Sequence, residues 1–387
     1  MIDPEAYLAS RVRGIDASGI RRVFDLAAKL ENPINLSIGQ PHFDVPEDVK
    51  RAATAAIEAG FNRYTQTQGV ADLIQRVELD VAKQFPGTLG AADSRGLADG
   101  FQTLITSGVS GGLMLLLLAC CEPGDDVLMP DPYFVMYRHL VTLAGGNPVF
   151  VDTYPDFQLT AERVEKSLTA KTKLLMFSSP SNPTGVVLTE ANTIALAKLA
   201  EDRGLLLVSD EIYDRFVYDV ETTPSVASHT DRVVLLRGFS KTYGMTGWRL
   251  GYAVGPTGIV EQMTKLQQYS FVCAPSMAQA AGVAALEVDI DGYVAAYRER
   301  RDRVEERLGE AGFELATPGG AFYAFAKVPE HLGLTGTAFA EKAVGEGVLV
   351  IPGSVFSERD THIRLSYACG VEQLEAGLDV LVKLGQG

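Results

Sequence analysis

The stretch 238–251, G-F-S-K-T-Y-G-M-T-G-W-R-L-G, places Lys241 among small residues and Arg249 eight positions later. It comes after an apolar run at 233–236 that reads as a short buried strand. A lysine just past such a strand can be held in a cramped, partly desolvated loop. That lowers its pKa and frees the amine for Schiff-base chemistry. The arginine can grip a phosphate through two parallel hydrogen bonds. A reactive amine beside a phosphate clamp is the pairing that pyridoxal phosphate requires. Taken alone, the stretch reads as a loop with two solvated cations; the rest of the chain overturns that reading.

Strand-like runs recur at 126–129, 148–151, 174–177, 205–208 and 233–236, with helical patterns between several of them, as at 161–168 and 190–203. The alternation predicts an α/β fold with a mostly parallel sheet. In such sheets ligands sit beyond the carboxyl ends of the strands. Just past those ends lie D-P-Y-F with Phe134, S-S-P-S-N-P-T-G with Asn182, S-D-E-I-Y with Asp210 and Tyr213, and then Lys241. Earlier, a strand at 101–106 runs into S-G-V-S-G-G (107–112) and a helix expected from about Leu113. A small-residue loop at a helix N-terminus suits an anion, because backbone N–H groups there are unpaired and the helix dipole favours negative charge. The loop is neither G-x-G-x-x-G nor a P-loop.

Each residue has a task if pyridoxal phosphate lies at that edge. Lys241 would form the imine and later carry protons. Asp210 would pair with the pyridine nitrogen and keep it protonated, so that the ring acts as an electron sink. Tyr213 and Asn182 could reach the 3′ oxygen, and Phe134 could stack on the ring. Gly108, Val109, Ser110, Ser240 and Arg249 could hold the phosphate. Singly, Asp210 fits a helix cap, Tyr213 and Phe134 fit core packing, and Asn182 fits a turn. Together they fall at successive strand ends, which those readings leave unexplained.

With these residues in place, the chain resembles the class I/II aminotransferases of fold type I, the aspartate aminotransferase family. The likeness runs from S-I-G-Q-P-H-F-D-V-P (37–46) to I-R-L-S-Y-A (363–368). Its most specific pieces are S-N-P-T-G (181–185), D-E-I-Y (210–213) and S-K-T-Y-G-M-T-G-W-R-L-G (240–251). The resemblance implies Lys241 as the internal aldimine lysine, Asp210 at the pyridine nitrogen, and Tyr213 and Asn182 at the 3′ oxygen. It implies Arg364 as the clamp for the substrate α-carboxylate, with Gly39 and Asn182 bordering the substrate. Tyr64 matches a tyrosine that reaches the partner subunit's phosphate, which implies a homodimer with shared sites. The reaction implied is transfer of an amino group from an L-amino acid, aspartate or aromatic, to 2-oxoglutarate. Two departures stand out. Gly238 replaces a hydroxyl residue, and the 108–112 loop lacks a lysine that some members carry.

The same cofactor residues would serve a carbon–sulfur β-lyase or another enzyme of this fold, since proton loss at Cα is common to all. A dinucleotide dehydrogenase is disfavoured because the first strand is succeeded by no glycine-rich fingerprint. The net charge of −15 argues against nucleic acid or an anionic membrane as a partner. Four cysteines without C-x-x-C or histidine pairing argue against a metal site. Few cysteines and no apolar signal segment suit a cytoplasmic protein. Its 387 residues allow two or three domains. We expect an N-terminal arm and joining segment at 1–45, a large cofactor-binding domain at 46–277, and a small α+β domain at 278–387. The small domain is expected to hold a long charged helix at 291–311 and short strands around 319–325 and 348–354.

Overall fold

The computed structural model describes residues 3–15, 19 and 32–387. The helix expected after Ser18, with Ile20, Val23, Phe24, Ala27 and Leu30 at helical spacing, lies outside the described residues. In chain order the strands are β1 (Ile34–Asn35), β2 (Phe101–Thr106), β3 (Asp126–Asp131), β4 (Asn147–Asp152), β5 (Thr172–Ser178), β6 (Leu206–Asp210) and β7 (Val233–Gly238). They continue with β8 (Gly251–Pro256), β9 (Glu314–Leu315), β10 (Tyr323–Lys327), β11 (Val348–Leu349), β12 (Ile351–Pro352) and β13 (His362–Ser366).

Seven strands form one sheet in the order β2-β8-β7-β6-β5-β3-β4. Only β8 runs antiparallel to its neighbours. Helices cover both faces, so the central strands are apolar on both sides. In β7, Val233 and Leu235 enter the core on one face while Val234 and Leu236 enter the core on the other. Each such fully buried side chain contributes about 1.5–3 kcal/mol. That two-sided burial is why 233–236 reads as an unbroken apolar run.

The helix expected from about Leu113 begins at Gly108 and runs to Cys120. The small residues at 108–112 are therefore its first turn and a half, not a separate loop. They are small because the helix crosses the sheet closely. A Cβ on Gly112 would lie 2.7 Å from Leu236 Cδ2, and one on Gly251 would lie 2.9 Å from the Gly108 carbonyl carbon and the Val109 nitrogen. The earlier helix start strengthens the anion reading, because the free N–H groups of its first turn now face the sheet edge.

The smaller sheet has the order β12-β13-β10-β9, with antiparallel pairings throughout. Val304 and Leu308 of the helix Asp291–Glu310 and Leu374 and Leu378 of the helix Val371–Gln386 join its core. The strand expected at 319–325 starts only at Tyr323, because Gly320 sits against another segment: a Cβ there would lie 2.5 Å from the Phe216 carbonyl oxygen. The segment after β1 ties the two sheets together. β1 pairs in parallel with β11, and Ser366 N then donates to Leu36 O at 2.7 Å. Beyond Leu36 the chain pairs with no strand, which leaves the carbonyls of Ser37 and Gly39 available. Ala278, Ala281, Ala285 and Ile290 pack in the large sheet's core. We propose that the division between the two bodies falls near Ile290 rather than at 277.

The close approach at Gly251 gives a test. Gly251→Ala meets backbone atoms, which cannot swing aside, so it should lower the thermal unfolding midpoint at a cost of about 1–3 kcal/mol. Gly292→Ala lies in a helix with open space around it. It should leave the midpoint unchanged or raise it, by up to about 1 kcal/mol. An unchanged midpoint for Gly251→Ala would rule out the tight crossing.

Candidate active site

β5, β6 and β7 end at one edge of the large sheet, with Ser178, Asp210 and Gly238 as their last residues. The helix start at Gly108 and the segment at 37–39 approach the same edge. Between them lies a cavity of about 290 Å³, bordered by Lys241, Asp210, Arg249, Arg364, Asn182 and Tyr213 among others. That is at the small end of ligand pockets, roughly 300–1,000 Å³. Two larger hollows exist, of about 390 Å³ beside Arg76 and Arg237 and about 1090 Å³ between Tyr154 and Glu314. Neither brings a lysine of lowered pKa to a buried carboxylate, so the chemistry selects the smaller one.

Lys241 is carried by the short helix Phe239–Thr242 that caps β7. Its Nζ donates to the Gly39 carbonyl at 2.5 Å and stands 5.9 Å from the centre of the Tyr213 ring. Burial lowers its pKa to about 8, with the charges of Arg364 and Arg249 adding to the effect and Asp210 opposing it. Asp210 is 3% exposed. Its Oδ2 accepts from the Tyr137 hydroxyl at 2.7 Å and its Oδ1 from Ile212 N at 3.2 Å. Burial raises its pKa to about 6, against the pull of those two hydrogen bonds. Both groups are thus moved toward neutrality by the same loss of water.

Arg364 comes from β13 and is 1% exposed. It donates to Asn182 Oδ1 at 3.1 Å and to the Ser37 carbonyl at 2.8 Å. Its guanidinium carbon lies 4.5 Å from the Tyr323 ring centre and 4.6 Å from that of Phe356. Burial lowers its pKa, and its Nε has no hydrogen-bond partner among the described residues. Tyr213 and Tyr323 share a hydroxyl contact of 2.9 Å. A Cβ on Gly39 would lie 2.6 Å from the Tyr323 hydroxyl, so the glycine lets this segment pass close to that side chain.

Arg249 holds a left-handed backbone (φ +57) and donates to Thr246 O at 3.0 Å. A Cβ on Gly108 (φ +71) would lie 2.6 Å from Arg249 Nη2, so the guanidinium sits directly over the helix start. Val109, Ser110, Phe134 and Ser240 also border the cavity. The glycine at 238 has a packing reason: a Cβ there would come within 3.1 Å of Ile212 Cδ1 and 3.2 Å of Leu250 O.

The structure therefore gathers Gly39, Val109, Ser110, Phe134, Asn182, Asp210, Tyr213, Ser240, Lys241, Arg249 and Arg364 around one cavity, with Gly108 behind Arg249. Tyr64 is not among them; it is 83% exposed on the loop after the helix Glu47–Glu58. Sequence reasoning missed Tyr137, Tyr323, Phe356 and the Ser37 carbonyl. Tyr137 was findable, since it lies three residues after Phe134 in a segment entering a helix. The other three depend on how the small sheet docks.

The donor set fits pyridoxal phosphate. Three cations, Lys241, Arg249 and Arg364, face one carboxylate in a chain whose net charge is −15, so the cavity favours anions. An orphaned buried Nε and a glycine-lined helix start are the features that a carboxylate and a phosphate would satisfy. Among the described residues, no group of three or more His, Cys, Asp or Glu could hold a metal ion, and no helix is long and apolar enough to cross a membrane.

The comparisons with known proteins agree with this geometry. Residues 31–381 match the family model for aminotransferase class I and II. The chain is 38% identical to the putative aminotransferase YugH of Bacillus subtilis, over 96% of this chain and 97% of that one. It is 36% identical to aromatic-amino-acid aminotransferase 2 of Thermococcus litoralis, over 97% and 98% of the two chains. Its fold superposes on the aspartate aminotransferase of Thermus thermophilus solved with maleate, with a TM-score of 0.89, 32% identity and coverage of 97% and 99%. Those structural neighbours are fold type I aminotransferases, whose family uses pyridoxal phosphate. Matched along nearly its whole length by the family model and by relatives above 30% identity, the chain belongs to the class I and II aminotransferases.

Proposed function

We propose that this aminotransferase moves the amino group of an L-amino acid, aspartate or aromatic, to 2-oxoglutarate, with pyridoxal phosphate attached through Lys241. The observation that carries the reading is a lysine of lowered pKa and a buried carboxylate facing one cavity, which a buried arginine held by an amide oxygen and a carbonyl also borders. Bound there, the cofactor supplies an electron sink for the pair released when the substrate Cα–H bond breaks. The chain supplies the rest. The neutral Lys241 amine is the base for the Cα proton. Asp210 holds a proton on the ring nitrogen, and Tyr137 fixes the orientation of Asp210 through the 2.7 Å hydrogen bond. Tyr213 and Asn182 would bond the 3′ oxygen, and Phe134 would cover the ring. Arg249, Ser240 and the helix start at 108–110 would hold the phosphate. Arg364 holds the α-carboxylate, sandwiched by Tyr323 and Phe356 so that its fork cannot rotate.

The α-carboxylate is common to all donors, so the distal part of the cavity sets specificity. A dicarboxylate needs a cation or several donors there, because an unpaired buried carboxylate is costly. Among the described residues bordering the cavity, each cation already has a task, so the distal carboxylate of aspartate or of 2-oxoglutarate would rely on neutral donors. The free thiols of Cys120, Cys121, Cys273 and Cys369 suit a reducing, cytoplasmic setting. We also infer a homodimer with shared sites. Tyr64 and Tyr269 are 83% and 84% exposed, and their segments are joined by Gln267 Nε2 donating to Thr67 O at 2.7 Å and Ser276 donating to Phe61 O at 2.9 Å. Two exposed aromatics on adjoining segments support a protein interface there.

Three outcomes test this reading. Borohydride reduction of the cofactor-loaded protein should leave a pyridoxyl group on Lys241, and uptake should quicken as pH rises through about 8, where the amine loses its proton. In the same preparation, aromatic donors or aspartate should bleach the visible band and 2-oxoglutarate should restore it. A label on another lysine sinks the attachment site, and pyruvate with ammonia from cysteine or cystathionine, without transamination, makes the protein a lyase.

Arg364→Lys keeps the charge and loses the fork, so kcat/KM should fall by about 30-fold or more. Wild-type kcat/KM in both Arg364→Lys and Arg364→Ala would remove its role. Sedimentation should give about twice the 41.6 kDa chain mass. A stable, fully active monomer would remove the shared-site proposal.

A further inference from the structure

Arg237 and Glu211 do not touch the cavity, yet each adjoins a residue that does or leads to one. Glu211 comes directly after Asp210 in the chain, and Arg237 lies four residues before Lys241. β6 and β7 pair in parallel with Asp210 opposite Leu236, and Glu211 N continues the ladder by donating to Leu236 O at 2.8 Å. Side chains alternate along a strand. Asp210 therefore faces the cavity while Glu211 and Arg237 meet on the far side of the same strand ends.

Their contact is unusually complete for a buried ion pair. The side chains are 2% and 3% exposed. Arg237 donates to Glu211 Oε2 from Nε at 3.1 Å and from Nη2 at 2.7 Å. Its Nη1 donates to Gln84 Oε1 at 2.7 Å and lies 3.3 Å from Asp214 Oδ2. Glu211 Oε1 accepts from Ser209 at 2.9 Å and from Ser225 at 2.5 Å. Two buried ions of this kind often add no more stability than an apolar pair of the same volume. Stability alone therefore does not account for a satisfied charge network placed directly behind two residues of the site.

We propose that Arg237 and Glu211 are positioning residues for the reaction: their fork fixes the separation of the strand ends that carry Asp210 and Lys241, and Arg237 cancels the Glu211 charge that would otherwise stand beside Asp210. The inference rests on pyridoxal phosphate occupying the cavity. The charged and titratable groups around the pair are Asp214, Tyr252, Asp80, Arg215 and Tyr243 on the Arg237 side, and Tyr137 and Lys241 on the Asp210 side. Glu211 already acts to raise the pKa of Asp210 even while paired. Counting Arg237, Glu211 and Asp214 as ionised, the network carries −1. It would carry −2 in Arg237→Gln, 0 in Glu211→Gln, and −1 again in the double variant.

The test reads the loaded enzyme's visible spectrum against pH, together with cofactor affinity by equilibrium dialysis and the unfolding midpoint of the cofactor-free protein. The visible band changes as the nitrogen joining the cofactor to Lys241 gains or loses its proton. Extra negative charge behind the site favours the protonated form, so Arg237→Gln should raise the spectral midpoint by about half a pH unit or more. Glu211→Gln should lower it by a similar amount, and the double variant should return it to the wild-type value. Both single variants should weaken cofactor binding several-fold. A purely structural pair would shift the unfolding midpoint and leave the spectral midpoint within about 0.2 units, the order of ordinary titration scatter; that result, or shifts of the same sign in both single variants, overturns the proposal. Should Arg237→Gln not fold, Glu211→Gln and the double variant decide by the same criteria. Wild-type protein that takes up no pyridoxal phosphate would defeat the functional reading instead, since the positioning role is read only from shifts relative to a loaded wild type.

Discussion

Taking charge out of water is the constraint on which the rest of this structure depends. Lys241 is half-buried and Arg364 fully buried beside a single carboxylate, and all three groups have their pKa displaced toward the neutral form by loss of water. An isolated buried ion costs several kcal/mol, so each must be met by hydrogen bonds or left wanting a partner. Lys241 is met by one backbone carbonyl, and Arg364 by one carbonyl and one amide oxygen. The remaining deficit is positive, and anions such as a phosphate and a carboxylate would fill it.

The fold exists to hold that arrangement still. The large sheet delivers Ser178, Asp210 and the Lys241 turn at one edge, because parallel strands covered on both faces share one direction. The helix at 108–120 starts over the same edge only because Gly108, Gly112 and Gly251 allow it to lie close to the strands. The small sheet brings Arg364 and Tyr323, and the segment at 36–39 threads between the bodies and offers its carbonyls to both basic side chains. Two bodies thus meet through the site itself, by the Arg364–Asn182 and Tyr213–Tyr323 contacts.

The site also has a supporting layer that does no chemistry. Tyr137 holds Asp210 from the side. The Arg237–Glu211 network holds the strand ends from behind, tied to the helix Ala71–Gln84 through Gln84. Precision in the reacting groups depends on such support, since a displacement of about 1 Å can cost about 100-fold in rate.

The sequence by itself determined the architecture and most of the residues that line the candidate site. Apolar runs bounded by small and polar residues marked β3 to β7, because strands buried on both faces must be apolar throughout. The residues just past those runs could be named, because a parallel sheet sends its strand ends to one edge. Asn182, Asp210, Tyr213 and Lys241 were legible for that reason. The helix start at Gly108 was misplaced, because glycine and serine are weak helix formers and only the close crossing over Gly251 and Leu236 explains them. Tertiary structure alone decided that Tyr323 and Phe356 enclose Arg364, that backbone carbonyls of the 37–39 segment meet the two cations, and that Arg237 closes on Glu211. Those contacts join residues as many as about 330 positions apart, and no local period or spacing encodes which side chain will face which across a packed interface.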